Sequence, residues 1–268
     1  MKKLFDLLSK YNTISIPLSL EEEQTMLYEY VYATNKLEGN LLTLIQTTEL
    51  FKSDTISGNN IRTSDILEQK GVYKALKRML LAVKNKEELT INLLIELNWL
   101  CIGSLWNEDY YLDAKEKGQL KGTFKISPNV ISIKKDSIEI EKIMPLSSPS
   151  NVNENMSELI EKIKISDKNI LDKVVYLAQE IWLHQPFVDG NKRTGRLLIN
   201  FLLMKEGFPL FTYNHPTLNY NSLLVEQYYD KNPNLLKNYI EENLRLKLET
   251  MIKSYSNIKT GNGFRFML

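Results

Sequence analysis

The sequence predicts one mainly α-helical domain, all-α apart from a small β-hairpin. Three observations carry that expectation. Apolar residues recur at helical spacing through most of the 268 residues. Two capping boxes, Ser19 with Glu22 and Thr43 with Gln46, mark helix starts. Only the stretch 118–134 changes character, to short runs rich in β-branched residues separated by Ser127-Pro128-Asn129.

Taken in order, the Ser19 cap opens a helix running to about Leu37, with Met26, Leu27, Tyr30, Val31 and Leu37 on one face, and Gly39-Asn40 stops it. Thr43 opens a short helix through Leu50 and Phe51. A polar turn over 53–60 leads to two longer amphipathic helices, 64–84 and 90–103. Leu67, Tyr73, Leu76, Leu80, Leu81, Leu93, Leu94, Leu97 and Leu100 face inward on them. The hairpin pairs Gly122-Thr123-Phe124-Lys125-Ile126 with Val130-Ile131-Ser132-Ile133. A surface loop over 145–153 follows. Helices resume at 155–165 and 168–184, then from near Lys192 to Gly207 with Pro209 just beyond. The region 208–268 reads as a C-terminal helical extension, with helices at 220–230 and 233–245 reaching towards 256. No repeat or composition shift divides the chain, so 1–268 reads as a single domain.

Bulk properties narrow the function classes. The chain carries 34 basic and 33 acidic residues, a net charge of +1, which gives no signal for direct nucleic-acid binding. Its single cysteine, Cys101, lies in the apolar stretch Asn98-Trp99-Leu100-Cys101-Ile102 and reads as a buried thiol in a reducing compartment. Basic residues at the N-terminus have no apolar run behind them, so no secretory signal is expected. No stretch is long and apolar enough for a membrane span. The expected location is cytoplasmic.

The chemistry concentrates in 184–196, His-Gln-Pro-Phe-Val-Asp-Gly-Asn-Lys-Arg-Thr-Gly-Arg. Here one helix ends, a short loop turns and a second helix begins. The first N–H groups of a helix lack partners inside it, and its dipole places positive charge there. Gly190 allows close backbone approach, Asn191 brings a side-chain amide, and Lys192, Arg193 and Arg196 crowd cations into the first turns. Cations are unfavourable at that end, so three of them point to an anion that compensates. Asp189 is suited to holding Mg²⁺ whose other positions are filled by phosphate oxygens. A polar loop whose arginines pair with nearby acids is the alternative on these grounds alone.

Phe187, Asp189, Gly190, Asn191, Lys192, Arg193 and Arg196 match, in order and spacing, the signature His-x-Phe-x-Asp/Glu-Gly-Asn-Gly/Lys-Arg-x-x-Arg. The chain therefore resembles the Fic (Fido) family. The resemblance implies a helical Fic-like core. It also implies Phe187 as the loop's anchor, Asp189 as a Mg²⁺ ligand, an anion hole at Gly190-Asn191, and Arg193 and Arg196 on the distal phosphates. It implies ATP as substrate or ligand and AMP transfer to a protein hydroxyl, with phosphate transfer in a smaller branch that has Lys after the Asn. Within the N-terminal helix segment 19–40, Thr34 to Gly39 resembles the family's inhibitory motif, with Glu38 pairing Arg196 and blocking the γ-phosphate. A carboxylate and a phosphate do compete for one guanidinium fork. Gly122, Thr123, Phe124 and Lys125 fall where the family has a flap that docks target backbone by strand addition. A plain structural hairpin is the other reading.

One position departs from the pattern. Gln185 stands where the family has its catalytic histidine, and an amide cannot take a proton from an attacking hydroxyl. His184 is the candidate substitute, although on a helix it points about 100° away from residue 185. The other histidine, His215, is expected in a surface loop. Two functions therefore stand side by side: a Mg²⁺-dependent nucleotidyltransferase acting on an unknown protein and restrained by Glu38, and a nucleotide binder without transfer. Oligomeric state is open, a homo-oligomer included. The segment 261–268, with Phe264, Phe266 and Leu268, is expected to dock on the domain or on a partner.

Overall fold

In the computed structural model the described residues are 2–14, 18–59, 61–106, 115–116, 119–135, 138–214, 218–232 and 234–259. His215 and the segment 261–268 lie outside them. The helices are α1 (Lys2–Ile14), α2 (Leu20–Lys36), α3 (Leu44–Ser53), α4 (Thr63–Lys84) and α5 (Ile91–Ile102). After the two-stranded sheet come α6 (Val152–Ile165), α7 (Ile170–His184), α8 (Asn191–Lys205), α9 (Tyr220–Asp230) and α10 (Asn234–Lys259). Both capping boxes form: Ser19 and Thr43 accept from the N–H groups of Glu22 and Gln46, whose side chains accept in return. Among the described residues no helix is long and apolar enough to cross a membrane.

α8 is the hub. It is enclosed by α7, α4 and α5 and touches α2 at one end. A helix surrounded in this way must be apolar on every side, and Leu197, Leu198, Ile199, Phe201 and Leu203 are all buried. Four of its buried polar residues, Asn191, Arg193, Thr194 and Arg196, gather at its N-terminal end, and a fifth, Asn200, bonds the Phe211 backbone further along. Cys101 sits fully buried on α5, where loss of hydration pushes its thiol up to about 12. It is a packing residue.

Three expectations change. First, α1 was not foreseen. Leu4 and Leu8 bury one face of it, α1 packs along α10, and Phe5 meets Phe208 edge-on at 6.0 Å. Second, Leu81 is exposed rather than inward. Third, the hairpin lies further along the chain. β1 (Ile131–Lys135) pairs antiparallel with β2 (Ile138–Ile143), Ile131 opposite Ile143, with a bulge between Ile133 and Lys134. Val130–Ile133 therefore overlaps the first strand of the hairpin instead of forming its second. Residues 122–126 are not a strand: Phe124 and Lys125, adjacent in sequence, are both buried, which the alternation of a strand at a sheet face does not allow. The overlooked signal was Ile138-Glu-Ile-Glu-Lys-Ile, an apolar–polar alternation with Ile138 and Ile140 facing solvent.

Candidate nucleotide-phosphate site

α7 ends at His184, and Gln185 caps it in the left-handed conformation, at φ 43° and ψ 59°. The chain then turns through 186–190 into α8. Phe187 is buried against Phe124, ring centroids 5.3 Å apart, and fixes the turn in the core. Asn191 stitches the loop shut. Its Oδ1 accepts from the Phe187 N–H at 2.9 Å, and its Nδ2 donates to Phe187 O and Gln185 Oε1, both at 2.9 Å. Its amide is therefore spent on the loop and not aimed at a ligand.

Gly190 also has a different role from the expected one. At φ 78° it is left-handed, and a Cβ there would lie 2.6 Å from Ile102 Cγ2 and 2.9 Å from Asn98 Nδ2. The demand for glycine comes from packing on α5, where Asn98 Nδ2 donates to Asp189 O at 2.9 Å and to Thr194 Oγ1 at 3.1 Å. Gly190→Ala is expected to destabilise the fold by about 1–3 kcal/mol through overpacking and backbone strain. Urea unfolding checks this, and an unchanged midpoint would contradict it.

As the N-cap of α8, Gly190 supplies no side-chain cap. The first-turn N–H groups of 191–193 thus open onto a small cleft of about 90 Å³, lined by Glu38, Gln185, Val188 and 189–193. The anion found there belongs to the protein. Glu38 Oε1 accepts from Arg196 Nη2 at 2.8 Å, and Glu38 Oε2 lies 2.9 Å from Lys192 Nζ. Burial would raise the Glu38 carboxyl, but Arg196, then Lys192 and Arg193, outweigh it and hold it down at about 2.

Arg196 is fully buried. Its Nε donates to Thr34 Oγ1 at 2.6 Å and its Nη2 to Thr34 O at 3.0 Å, while the guanidinium lies over the rings of Tyr213 and Tyr220. Arg193 is held apart from it, donating to Glu68 Oε1 at 3.1 Å and Asp189 Oδ2 at 3.2 Å. Asp189 is half-exposed, and its Oδ1 accepts from the Gly190 N–H at 2.5 Å. No group of three metal-binding side chains occurs among the described residues. One half-exposed carboxylate beside the cleft is compatible with Mg²⁺, which commonly binds through one or two carboxylates and keeps waters as its other ligands.

The two candidate bases resolve differently. Gln185 lines the cleft, its Nε2 donating to Trp182 O at 2.7 Å. His184 does not line it: Nδ1 is 2.5 Å from Ser147 Oγ and Nε2 is 3.3 Å from Glu180 Oε2. Both ring nitrogens are engaged away from the cleft, so its geometry does not suit it to act as a base there. The row Ser147–His184–Glu180 has the residue types of a hydrolytic triad. Ser147 is buried, however, and accepts from Asn155 Nδ2 at 2.9 Å, so it tethers α7 to α6.

The expected docking segment is also used internally. Lys125 N–H donates to Pro186 O at 2.9 Å and its buried ammonium to His184 O at 3.0 Å. Asn129 Nδ2 donates to Gln185 O and Phe187 O. Thr123 Oγ1 donates to Leu120 O, and Gly122 takes a left-handed turn at φ 66°. Lys125 and Asn129 hold the four consecutive carbonyls of 184–187, and residues 122–126 form no strand. Sequence reading missed Lys125 in this role, as it missed Glu68, Asn98, Asn129 and Asn221. Asn98 had left a trace, a polar residue on the buried face of an apolar helix. A larger cavity of about 770 Å³ lies between α2 and α10, away from these residues.

The described site is thus a helical domain in which a helix N-terminus without a side-chain cap meets Lys192, Arg193, Arg196 and the Glu38 carboxylate. Residues 88–203 match the model of the Fic/DOC family. The chain is similar to the protein adenylyltransferase fic-1 of Caenorhabditis elegans, 26% identical over 215 residues, 78% of this chain and 38% of that protein. The protein adenylyltransferase Fic of Nematostella vectensis is 26% identical over 188 residues, 68% of this chain and 38% of the relative. The chain thus spans less than two fifths of the length of these relatives. Among solved structures, a Fic-domain signalling protein of Bacteroides thetaiotaomicron has a TM-score of 0.75 and 25% identity, covering 95% of this chain and 97% of its own. The structure of Fic-1 from C. elegans shares the fold at a TM-score of 0.68 and 21% identity, covering 94% of this chain and 70% of its own.

Proposed function

We propose that this chain binds ATP through the N-terminus of α8, that Glu38 restrains that binding, and that AMP transfer to protein is slow because Gln185 supplies no base. The observation that carries the reading is the Glu38 carboxylate lining the cleft with residues 189–193, bonded to both Arg196 and Lys192. A carboxylate there takes the donors that a distal phosphate would use. A cleft of about 90 Å³ is also far below the several hundred Å³ of ordinary small-molecule sites, which fits a site held shut.

The parts divide as follows. First-turn N–H groups of α8 face the phosphates, and Lys192 and Arg196 supply charge once Glu38 withdraws. Phe187, Asn191 and Asn98 keep the loop in shape. Asp189 would hold Mg²⁺, which when bound neutralises phosphate charge. Transfer of AMP places the α-phosphoryl group on a hydroxyl and releases pyrophosphate, and the hydroxyl proton needs an acceptor. Gln185 is not one. The adenylyltransferase names of the relatives support the reaction class, and the substitution at residue 185 supports its low rate.

Calorimetry with Mg·ATP on wild type and Glu38→Gly tests the restraint. Glu38→Gly is expected to tighten binding about 5- to 150-fold, the range of a coupling of about 1–3 kcal/mol. Equal affinities would refute it.

A further inference from the structure

Glu38 sits on a short turn after α2, and such a turn needs anchoring if its carboxylate is to stay on Arg196. One anchor lies on α4: Asn40 Nδ2 donates to Asp65 O at 3.0 Å and to Glu68 Oε2 at 2.8 Å. The other lies on α9. Asn221 Nδ2 donates to Leu37 O at 2.8 Å and reaches Glu38 Oε1 at 3.5 Å, while Asn221 Oδ1 accepts from Arg196 Nη1 at 3.2 Å. A single amide thus touches both partners of the ion pair and the backbone between them. An amide is suited to this, because it donates from one end and accepts at the other. We infer that Asn221 is a positioning residue for the Glu38 restraint, a latch through which α9 holds the nucleotide site shut.

The inference rests on the reading of Glu38 as a restraint and adds where control enters. α9 lies beyond residue 203, outside the stretch that matches the family. A displacement of α9 would act on the Glu38 turn directly through Asn221. Asn221 is held on its own helix by the Asn219 cap, whose Oδ1 accepts from the Asn221 N–H at 2.9 Å, so latch and helix move together.

The test is a double-mutant cycle read by Mg·ATP affinity, on wild type, Asn221→Ala, Glu38→Gly and the double variant. Asn221→Ala is expected to tighten ATP about fivefold in the wild-type background, as loss of one such bond would. In Glu38→Gly it should give no further gain, because there is nothing left to latch. If Glu38→Gly tightens ATP and Asn221→Ala does not, the latch is overturned and the restraint stands. An equal effect of Asn221→Ala in both backgrounds also overturns it, since that is what a merely structural residue would give. Glu38→Gly without effect overturns the restraint itself, whatever Asn221→Ala does.

Discussion

In a Glu38→Gly background, Gln185→His raises incorporation of label from the α-phosphate of ATP into protein by about 10²–10⁴-fold, the contribution of a positioned general base. The site is otherwise ready for it. Residue 185 already lines the cleft, and its left-handed backbone is one that histidine tolerates. The change removes the acceptor for one Asn191 bond, but Asn191 keeps two bonds to Phe187. The measurement follows label entering the chain itself and the proteins of a cell extract. His184→Ala serves as the control and should leave the rate unchanged, because the ring is committed to Ser147 and Glu180. Label already abundant with Gln185 in place and lost with His184→Ala would show that the histidine swings into the site.

Arg196→Ala is expected to cost about 3–5 kcal/mol of stability, the range for removing one partner of a buried ion pair. Three losses combine. The guanidinium leaves a hole between Tyr213 and Tyr220, Thr34 loses two donors, and the half-buried Glu38 keeps Lys192 as its one cation, with only the long bond from Asn221 beside it. Urea unfolding measures it. Arg196→Ala in Glu38→Gly should cost less than in wild type, since no carboxylate is stranded. A loss below about 1 kcal/mol would mean that Arg196 is not locked as described. The Glu38 carboxyl, held down at about 2 against its ordinary 4.5, adds the matching pH dependence. A depressed carboxylate stabilises the fold above its unfolded value, and that contribution fades as pH falls from about 4.5 towards 2.

The helices were legible because capping residues and apolar spacing are local signals, and Ser19, Thr43 and the 191–205 segment show it. The run from Phe187 to Arg196 was equally legible as a cluster, and Glu38 was found with it. Less legible was what each member does. Asn191 and Gly190 look in sequence like groups turned towards a ligand, yet one closes the loop and the other fits against Ile102 and Asn98. Glu68, Asn129 and Asn221 reach the site from positions 125, 56–58 and 25 residues away from their partners, and no local pattern marks such contacts. The hairpin was displaced because 122–126 has the composition of a strand, whereas Lys125 is claimed by the end of α7.

The central claim is that Glu38 occupies the place of a distal phosphate. Calorimetric titration of wild type and Glu38→Gly with AMP, ADP and ATP, each with Mg²⁺, tests it most directly. The account predicts that removing Glu38 tightens ATP about 5- to 150-fold and leaves AMP unchanged, because only the longer chain reaches Arg196. An equal gain for AMP, or none for ATP, would contradict it.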